Sequence, residues 1–354
     1  MTALIAIAFA GAALASWLLV GAVIRAAPRL GLVDRPNERS LHRKPTPRGG
    51  GIGIVAVFLV GWPVGIVFAT GWPEIDVWWL VLLGFGIAAV SVADDRSPIP
   101  TTLRLVVHVA FAAGAVTTVG WFNLIHLPGA GIVAFGVLGG GLTFVWILGL
   151  TNVTNFMDGA DGIAGLQCVV AGVAWTAAGL WLGDPSVALG GAVIAGACGG
   201  FLFHNWPPAQ IFMGDVGSAF LGFMLAMLPV LASLHAVVEA PSAAARLPIF
   251  GGLVMWPFIA DGTFTFVRRL LRRENVLQAH RSHLYQRLVL AGWSHARVSL
   301  LYGAWAVAMS AVALIHLQRA GQGIASAIVA VVSLAAVWML VRRAETRVVK
   351  AREG

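Results

Sequence analysis

The chain has 354 residues, of which 59% are hydrophobic and 11% are charged, against roughly 25% charged residues in an average globular protein. Lys and Arg number 23 and Asp and Glu number 15, which gives a formal net charge of +8. So few charges exclude an ordinary soluble enzyme and a disordered chain. No nucleic-acid partner is expected either, because basic loops of a membrane protein explain the positive charge. Cys168 and Cys198 lie in apolar runs, so neither a disulfide framework nor a zinc site is predicted.

A helix needs about 20 apolar residues to cross a hydrocarbon core of about 30 Å. Long apolar runs of this kind predict an all-α polytopic membrane protein with about 10 to 11 transmembrane helices, forming a single domain over residues 1–354. The eleven predicted spans are 3–24, 51–70, 77–93, 105–120, 131–150, 163–182, 187–204, 217–236, 247–266, 297–316 and 322–341.

The basic residues predict the orientation of these spans. No Lys or Arg precedes the first span, whereas Arg25 and Arg29 follow it. If the 25–50 loop faces the cytoplasm, the loops on that side and their edges hold 21 of the 23 Lys and Arg residues, and only Arg246 and Arg319 lie opposite. The positive-inside rule therefore predicts that the N-terminus lies outside. The location expected for the protein is the plasma (inner) membrane. The patterned polar loops then share the cytoplasmic face, where we expect one site.

The first of these loops combines cations with glycines. Lys44 and Arg48 flank Thr46 and lead into the run Gly49–Gly51, where the second span begins. Backbone N–H groups at a glycine-rich helix start favour anions, so the loop predicts a phosphate site. A basic anchor that touches lipid headgroups explains the same residues equally well.

The second loop begins with the neighbouring acids Asp94 and Asp95. Adjacent residues on a helix do not share a face, so the two carboxylates are expected to have different roles. One could reach a substrate or metal while the other orients a neighbour. A salt bridge with Arg96 or Arg104 is the alternative.

The third loop has a polar residue at every third position: Asn152, Asn155, Asp158 and Asp161. A helical conformation would gather these side chains on one side. Carboxylate and amide oxygens suit Mg²⁺, which is usually bound together with substrate phosphates. The same groups could instead hydrogen-bond a nucleoside.

The last two loops supply an isolated acid and a histidine pair. Asn205 is a candidate substrate-binding residue. Asp215 lies in a glycine-rich turn after it, and an ionisable residue at a membrane helix end is a functional candidate. His280 and His283 are predicted to share a helical face with Arg287. Diphosphate binding by these residues and Arg281 fits better than zinc, because no Cys ligand or HExxH motif is present.

Four motifs, in this order, resemble those of the polyprenyl-phosphate N-acetylhexosamine-1-phosphate transferase family: TPRGGG from Thr46, the Asp94–Asp95 pair, NFMDGADGIAG and PAQIFMGDVGS. The resemblance implies a polytopic helical fold with a cytoplasmic active site that needs Mg²⁺, or Mn²⁺ in its place. The implied reaction transfers N-acetylhexosamine 1-phosphate from a UDP-sugar to undecaprenyl or another polyprenyl phosphate and releases UMP. This is the first membrane step of surface polysaccharide, O-antigen or cell-wall polymer synthesis.

The resemblance also implies roles for individual residues. Asp215 corresponds to the magnesium ligand, and Asp94 and Asp95 correspond to the essential acidic pair near the lipid phosphate. The residues implied on the nucleotide side are Asn155, Asp158 and Asp161. Those implied near the diphosphate are His280 and His283, with Arg281 or Lys44 adding positive charge.

Two departures from the pentapeptide-transferase branch indicate simpler donors. The chain has TPRGG where that branch typically has TPTMGG, and HRSHLYQR where it has a run of histidines. This form is most similar to the O-antigen initiating subgroup. The motifs do not distinguish which sugar is donated or whether the mechanism is direct or covalent. They also do not distinguish a monomer from a homodimer.

Other functional classes make different predictions. An intramembrane Mg²⁺-dependent prenyltransferase usually has DxxxD motifs, whereas Asp158 and Asp161 are three residues apart. A CDP-alcohol phosphotransferase needs an Arg shortly after an Asp-Gly pair, and residues 161–166 contain none. A non-enzymatic ion transporter needs polar residues deep within its spans, for which Asp261 and His108 are the candidates.

Overall fold

A computed structural model describes residues 1–36, 44–97, 99–275, 278 and 280–353, with side chains as far as residue 349. Its helices are α1 (Thr2–Leu30), α2 (Gly51–Thr70), α3 (Ile75–Arg96), α4 (Thr101–Thr118), α5 (Val137–Met157), α6 (Ile163–Leu182), α7 (Pro185–Asn205), α8 (Asp215–Ala236), α9 (Pro241–Ala244), α10 (Leu247–Val254), α11 (Trp256–Leu271), α12 (Leu284–Leu290), α13 (His295–Gln318) and α14 (Gly323–Glu353). Two antiparallel hairpins pair β1 (Val33–Asp34) with β2 (Thr46–Pro47) and β3 (Leu124–Leu127) with β4 (Gly131–Ala134).

The predicted all-α membrane fold is confirmed. Ten helices within the described residues are long and apolar enough to cross a membrane. The segments Pro241–Val254 and Trp256–Leu271 are long and apolar enough only when taken together, and they meet at an angle of 70°. The span predicted over 247–266 therefore falls on a bent pair of helices, and Pro257 at the start of α11 lacks the N–H that would continue the preceding helix.

The span predicted over 131–150 is displaced along the chain. Residues 131–134 form strand β4 instead, and α5 runs from Val137 to Met157. Gly136, with φ of 51°, separates the hairpin from the helix, a conformation that glycine adopts without strain. The shift carries Asn152 and Asn155, predicted to lie in a loop, onto the last two turns of α5.

Helix α8 forms the centre of the molecule. Its most apolar stretch is entirely buried. The helix packs against α2, α3, α5, α7 and α10. Small residues allow the outer helices to approach closely: a Cβ on Gly179 of α6 would lie 2.3 Å from the backbone of Ala188 on α7. The N-terminus of α8, which begins at Asp215, is thereby held at the end of the bundle where α3 and α5 finish.

Candidate active site

The glycine-rich run before α2 packs against the turn before α8. The Gly50 N–H donates to the Phe212 carbonyl at 2.9 Å, and the Gly51 N–H donates to the Met213 carbonyl at 2.8 Å. A Cβ on Gly51 would lie 2.2 Å from the Cα of Gly217, so these two helix starts cross where only glycine fits. The prediction that this run cradles phosphate is wrong for these two N–H groups, because both already have acceptors.

Asp95 is a buried cap for α8. One carboxylate oxygen accepts the N–H of Asp215 and the other accepts the N–H of Val216, each at 3.1 Å. The side chain of Arg48 pairs with the same carboxylate at 3.2 Å. Gly214, with φ of 76°, passes so close that a Cβ there would lie 2.5 Å from Asp95 Oδ2. Asp95 therefore orients the start of α8 and has little capacity left for a substrate.

Arg48 binds protein groups that hold α3 in position. Its Nε donates to the carbonyl of Asp95 at 2.8 Å, and its Nη2 donates to the carbonyl of Asp94 at 3.2 Å. These bonds satisfy carbonyls at the C-terminus of a helix, where a cation is also favoured electrostatically. Arg48 therefore supports the acidic pair, and its substrate-binding role stays a prediction.

The other predicted residues of this loop lie at its edge. Thr46 donates its hydroxyl to the Lys44 carbonyl at 3.1 Å, and Lys44 is exposed. Of the further basic residues, Arg35 is exposed, whereas Arg39 and Arg43 lie outside the described residues.

Asp94 and Asp215 share a single cation. Arg104 Nη1 lies 3.2 Å from Asp94 Oδ2 and 2.8 Å from Asp215 Oδ2. Asp94 also accepts the N–H of Ile99 at 2.7 Å, and its side chain is only 7% exposed, whereas that of Asp215 is 29% exposed. Asp215 is thus the accessible member of the cluster. Asp94 and Asp95 thus have different partners, and the separate roles expected of them stay a prediction.

Two amides of α5 border this cluster. Asn155 Nδ2 donates to Asp215 Oδ1 at 3.0 Å and to the Ser218 hydroxyl at 2.9 Å, which fixes the orientation of the Asp215 carboxylate. Asn152 Oδ1 lies 3.2 Å from Nδ1 of the buried His108. His108 therefore has a partner within the site, which weighs against an isolated transport residue.

Helix α5 ends at Met157, so the three-residue polar repeat does not continue on one helical face. Asp158 lies just beyond the helix end. Burial, with the negative charges of Asp215, Asp95 and Asp161, raises the pKa of Asp158 well above its usual value. A cation bound beside these carboxylates would lower that pKa again.

Asp161 and Asn205, both predicted to bind substrate, hold loops together. The Asp161 carboxylate accepts the N–H of Ala209 at 3.1 Å and lies 3.1 Å from His295 Nδ1. Buried Asn205 accepts the N–H of Gly162 and donates to the Ile211 carbonyl, each at 2.8 Å. These contacts join the 158–162 turn to the segment before α8, and the substrate-binding roles of both residues stay predictions.

The histidine segment, residues 280–283, leads into α12, whose start is capped by Asp261. Asp261 is fully buried and accepts the N–H groups of Leu284 and Tyr285, at 2.8 and 3.1 Å, and the hydroxyl of Tyr302 at 2.7 Å. His283 Nδ1 lies 3.3 Å from the same carboxylate. Asp261 thus caps α12 and fixes the His283 ring, which excludes it as a free transport residue.

The shared helical face predicted for His280, His283 and Arg287 is wrong, because α12 begins only at Leu284. Arg287 points elsewhere and forms two bonds of 2.7 Å with Glu345 on α14. The two histidine rings nevertheless lie together, with centroids 4.9 Å apart.

His280 is uncharged at neutral pH. Burial and the neighbouring His283 and Arg269 lower its pKa to about 4. Its Nδ1 accepts the N–H of Ser282 at 3.2 Å, which leaves the proton on Nε2. The Nε atom of Arg281 is buried and has no hydrogen-bond partner among the described residues.

Tyr285 connects the histidine segment with the acidic cluster. Its hydroxyl donates to the Phe156 carbonyl at 3.2 Å, on the last turn of α5. Gly159 lies against the same ring, so a Cβ there would clash with the hydroxyl. Both parts of the predicted site therefore lie at one end of the bundle.

Several residues at the site carry no predicted functional role. The sequence predicts Arg104 only as a salt-bridge partner, although a cation at the start of the helix after Asp94–Asp95 is a usable signal. Ser218 lies one turn into α8, Tyr302 lies in an otherwise apolar segment, and Tyr285 follows the two histidines. No local pattern distinguishes these three from packing residues.

Carboxylates and amides from α3, α5 and α8 are gathered at one end of a bundle of apolar helices, an arrangement typical of a polytopic membrane enzyme. The chain belongs to glycosyl transferase family 4, whose sequence profile matches residues 77–233. The resemblance inferred from the motifs is thus confirmed, and the protein is a transferase.

Similar proteins cover most of the chain. It is 33% identical over 324 residues to the decaprenyl-phosphate N-acetylglucosaminephosphotransferase of Mycobacterium tuberculosis, with 83% of this chain and 78% of that protein covered. Identity is 29% over 304 residues to the probable undecaprenyl-phosphate N-acetylglucosaminyl 1-phosphate transferase of Bacillus subtilis (84% and 80% covered). A phospho-N-acetylmuramoyl-pentapeptide-transferase of Synechococcus is 30% identical over 310 residues (81% and 84% covered).

Proposed function

We propose that the enzyme transfers an N-acetylhexosamine 1-phosphate from a UDP-sugar to a polyprenyl phosphate, giving a polyprenyl-diphospho-sugar and UMP. The observation that carries the proposal is the partly exposed Asp215, held between Arg104 and Asn155 at the start of the central helix. The names of the relatives support a polyprenyl phosphate acceptor and the general reaction.

The donor atoms of this cluster suit Mg²⁺. Asp215 would hold the ion, with Asp94 beside it, and Mn²⁺ has the same preference for oxygen ligands. Within the described residues, no group of three His, Cys, Asp or Glu ligands converges at this end. A cation with so few protein ligands would complete its shell with water and substrate phosphates, as Mg²⁺ commonly does. When bound, it would neutralise charge on the diphosphate and the departing UMP.

Other residues of the chain would balance charge, bind the phosphates and position the helix starts. Arg104 would balance the charge of the carboxylates and, once a metal is present, is free to turn to a phosphate oxygen. His280 would donate a neutral hydrogen bond from Nε2, and Arg281 offers an unpaired Nε. Asp95, Asp261 and Asn205 would keep the helix starts in position.

The nucleophile needs no strong base. A phosphate monoester has a second pKa of about 6, so most of the lipid phosphate is a dianion at neutral pH. Asp94 already accepts the Ile99 N–H and contacts Arg104, which leaves it poorly placed to take a proton. We therefore infer direct attack of the lipid phosphate on the sugar-linked phosphorus. UMP exchange with UDP-sugar in the absence of lipid phosphate would instead indicate a covalent aspartyl-phosphate.

We further propose that the active-site end faces the cytoplasm in the plasma membrane. The loops at this end and their edges hold 21 of the 23 Lys and Arg residues of the sequence, as the positive-inside rule requires. UDP-sugars would then reach the site from the cytoplasm. A simple N-acetylhexosamine donor for surface polysaccharide synthesis, including the O-antigen type, follows from the TPRGG and HRSHLYQR motifs.

The proposal is tested with purified protein, undecaprenyl phosphate, Mg²⁺ and a panel of UDP-N-acetylhexosamines. We expect one UMP for each lipid-linked sugar with at least one donor, and no UMP without the lipid. Folded protein that releases no UMP with any donor contradicts the proposal, and release of UDP indicates an ordinary glycosyltransferase instead.

A further inference from the structure

A second cluster of metal-type ligands lies at the opposite end of the bundle. Glu74 and Asp76 stand at the start of α3, His235 in the last turn of α8, and Asp184 at the N-cap of α7. Helices α3 and α8 also carry Asp94 and Asp215, at their other ends. This cluster plays no part in the proposed reaction.

The geometry of the cluster suits a single ion. Glu74, Asp76 and His235 each offer one ligand atom, and the three atoms lie within 4.8 Å of one another. His235 Nε2 and Glu74 Oε2 are 3.3 Å apart. A small inward movement of these side chains would bring all three atoms to the ligand distances of about 2.0–2.2 Å typical of zinc.

The imidazole is already oriented for ligation. His235 Nδ1 lies 2.8 Å from Asp184 Oδ2, while Asp184 Oδ1 accepts the N–H of Val187 at 3.0 Å. A carboxylate on one ring nitrogen fixes the tautomer and directs the lone pair of the other nitrogen towards a metal. That other nitrogen, Nε2, is buried and has no hydrogen-bond partner among the described residues.

The charges favour a cation as well. Three carboxylates surround one imidazole, and no ion pair between them and a Lys or Arg is found in the part of the chain that the structure describes. One nitrogen and two carboxylate oxygens form a ligand set of the zinc type with an open position. An imidazole ligand disfavours Mg²⁺ and Ca²⁺, and the Irving–Williams order places Zn²⁺ above Mn²⁺.

We propose that Glu74, Asp76 and His235 bind a divalent transition-metal ion, zinc in the first instance, with Asp184 positioning the imidazole. The ion ties the ends of α3 and α8 together on the side opposite the active site. The site therefore supports the spacing of the two helices that carry the acidic cluster, and it does not depend on which reaction that cluster catalyses.

The test is calorimetric titration of Zn²⁺ into the purified, metal-free, full-length protein, with excess Mg²⁺ to fill oxygen-ligand sites. We expect about one equivalent of Zn²⁺ to bind and to raise the Tm. The His235→Gln variant should lose both effects while its metal-free Tm stays near that of the wild type. Asp184→Asn keeps an acceptor for Val187 and should bind Zn²⁺ about 10–100-fold more weakly.

Two controls separate this site from its surroundings. Glu239→Gln removes an exposed carboxylate from the same end, and Asp215→Asn alters the active site; both should bind Zn²⁺ like the wild type. Absence of Zn²⁺ binding by the wild type, or equal binding by His235→Gln, overturns the proposal. Loss of binding in Asp215→Asn also overturns it, because the ion would then belong to the active site.

Discussion

Two regions at the active-site end each contain an aspartate that caps the start of a helix, but the two capped helices present different groups. Asp95 caps the start of α8, and Asp261 caps the start of α12, each from a neighbouring helix and each accepting two successive N–H groups. In the first region the capped helix presents the partly exposed carboxylate of Asp215. In the second, the residue before the helix is the buried His283. One region suits a cation and the other suits phosphate oxygens.

The difference shows that acidity alone does not identify a reactive residue. Asp95 and Asp261 are almost fully buried and their oxygens are occupied by backbone donors, whereas Asp215 is held only by side chains. The buried carboxylates fix helix starts, and the accessible carboxylate is available for chemistry. Substitutions in the two classes should therefore produce losses of different kinds.

The largest effect is expected for Asp215→Asn. The amide keeps the shape of the side chain but removes the charge that would hold the metal and face Arg104. We expect kcat for UMP release to fall about 10³-fold, the upper range for the loss of a preorganised electrostatic group. The Tm should stay near the wild-type value. Activity within a few-fold of the wild type would place the reactive carboxylate elsewhere.

A large loss of stability is expected for Asp95→Ala. The change leaves two N–H groups of α8 without their acceptor and Arg48 without its partner. Breaking a buried charge pair costs about 3–5 kcal/mol, which unfolding of the detergent-solubilised protein would detect. Asp95→Asn retains one acceptor and should lose about half as much. A wild-type free energy of unfolding for Asp95→Ala, with activity lost, would make Asp95 a reactive residue.

An intermediate effect on activity is expected for Arg104→Gln. Without the cation, Asp94 and Asp215 repel each other and a phosphate contact is lost, so we expect about a 10²-fold lower kcat/KM. Arg104→Lys keeps the charge and should recover about tenfold of this loss. The matched control is Arg96→Gln, an exposed cation at the end of α3, which should have nearly wild-type activity. Equal losses in Arg104→Gln and Arg96→Gln would rule out a specific role for Arg104.

The smallest effect is a pH dependence of stability from His280. Its pKa of about 4 in the folded protein lies below the value of about 6.5 in an unfolded chain. The unfolded state therefore binds more protons between these values, and this contribution to stability, complete above about pH 6.5, is lost as the pH falls towards 4. The Tm of His280→Gln should decrease less than that of the wild type between pH 6.5 and 4.5. Parallel Tm curves would show that His280 is charged in the folded protein.

Most of the architecture could be predicted from the sequence. The spans over 51–70 and 163–182 coincide with α2 and α6, because uninterrupted apolar runs of this length have few alternatives in a membrane. The broken span after Pro241 and the β3–β4 hairpin could not be predicted, since both are apolar and hydropathy does not report a bend.

The candidate residues could be predicted better than their roles. Asp94 and Asp95 are neighbours in the sequence, and only the approach of α4 and α8 separates the residue that faces Arg104 from the residue that caps a helix. By residue type and position in the motifs, Arg48, Asp161 and Asn205 cannot be distinguished from substrate ligands. In the folded chain, long-range contacts occupy their polar atoms. Such contacts depend on tertiary packing, which a local motif does not encode.

The most direct test of the proposed chemistry follows the β-phosphorus of the donor. The enzyme is incubated with undecaprenyl phosphate, Mg²⁺ and a UDP-N-acetylhexosamine labelled with ³²P at the sugar-linked phosphate. Transfer of the sugar 1-phosphate predicts that the label enters the lipid together with the sugar, leaving unlabelled UMP, and that Asp215→Asn abolishes this transfer. Label that stays in UDP while the sugar moves to the lipid, or that never enters the lipid, would contradict it.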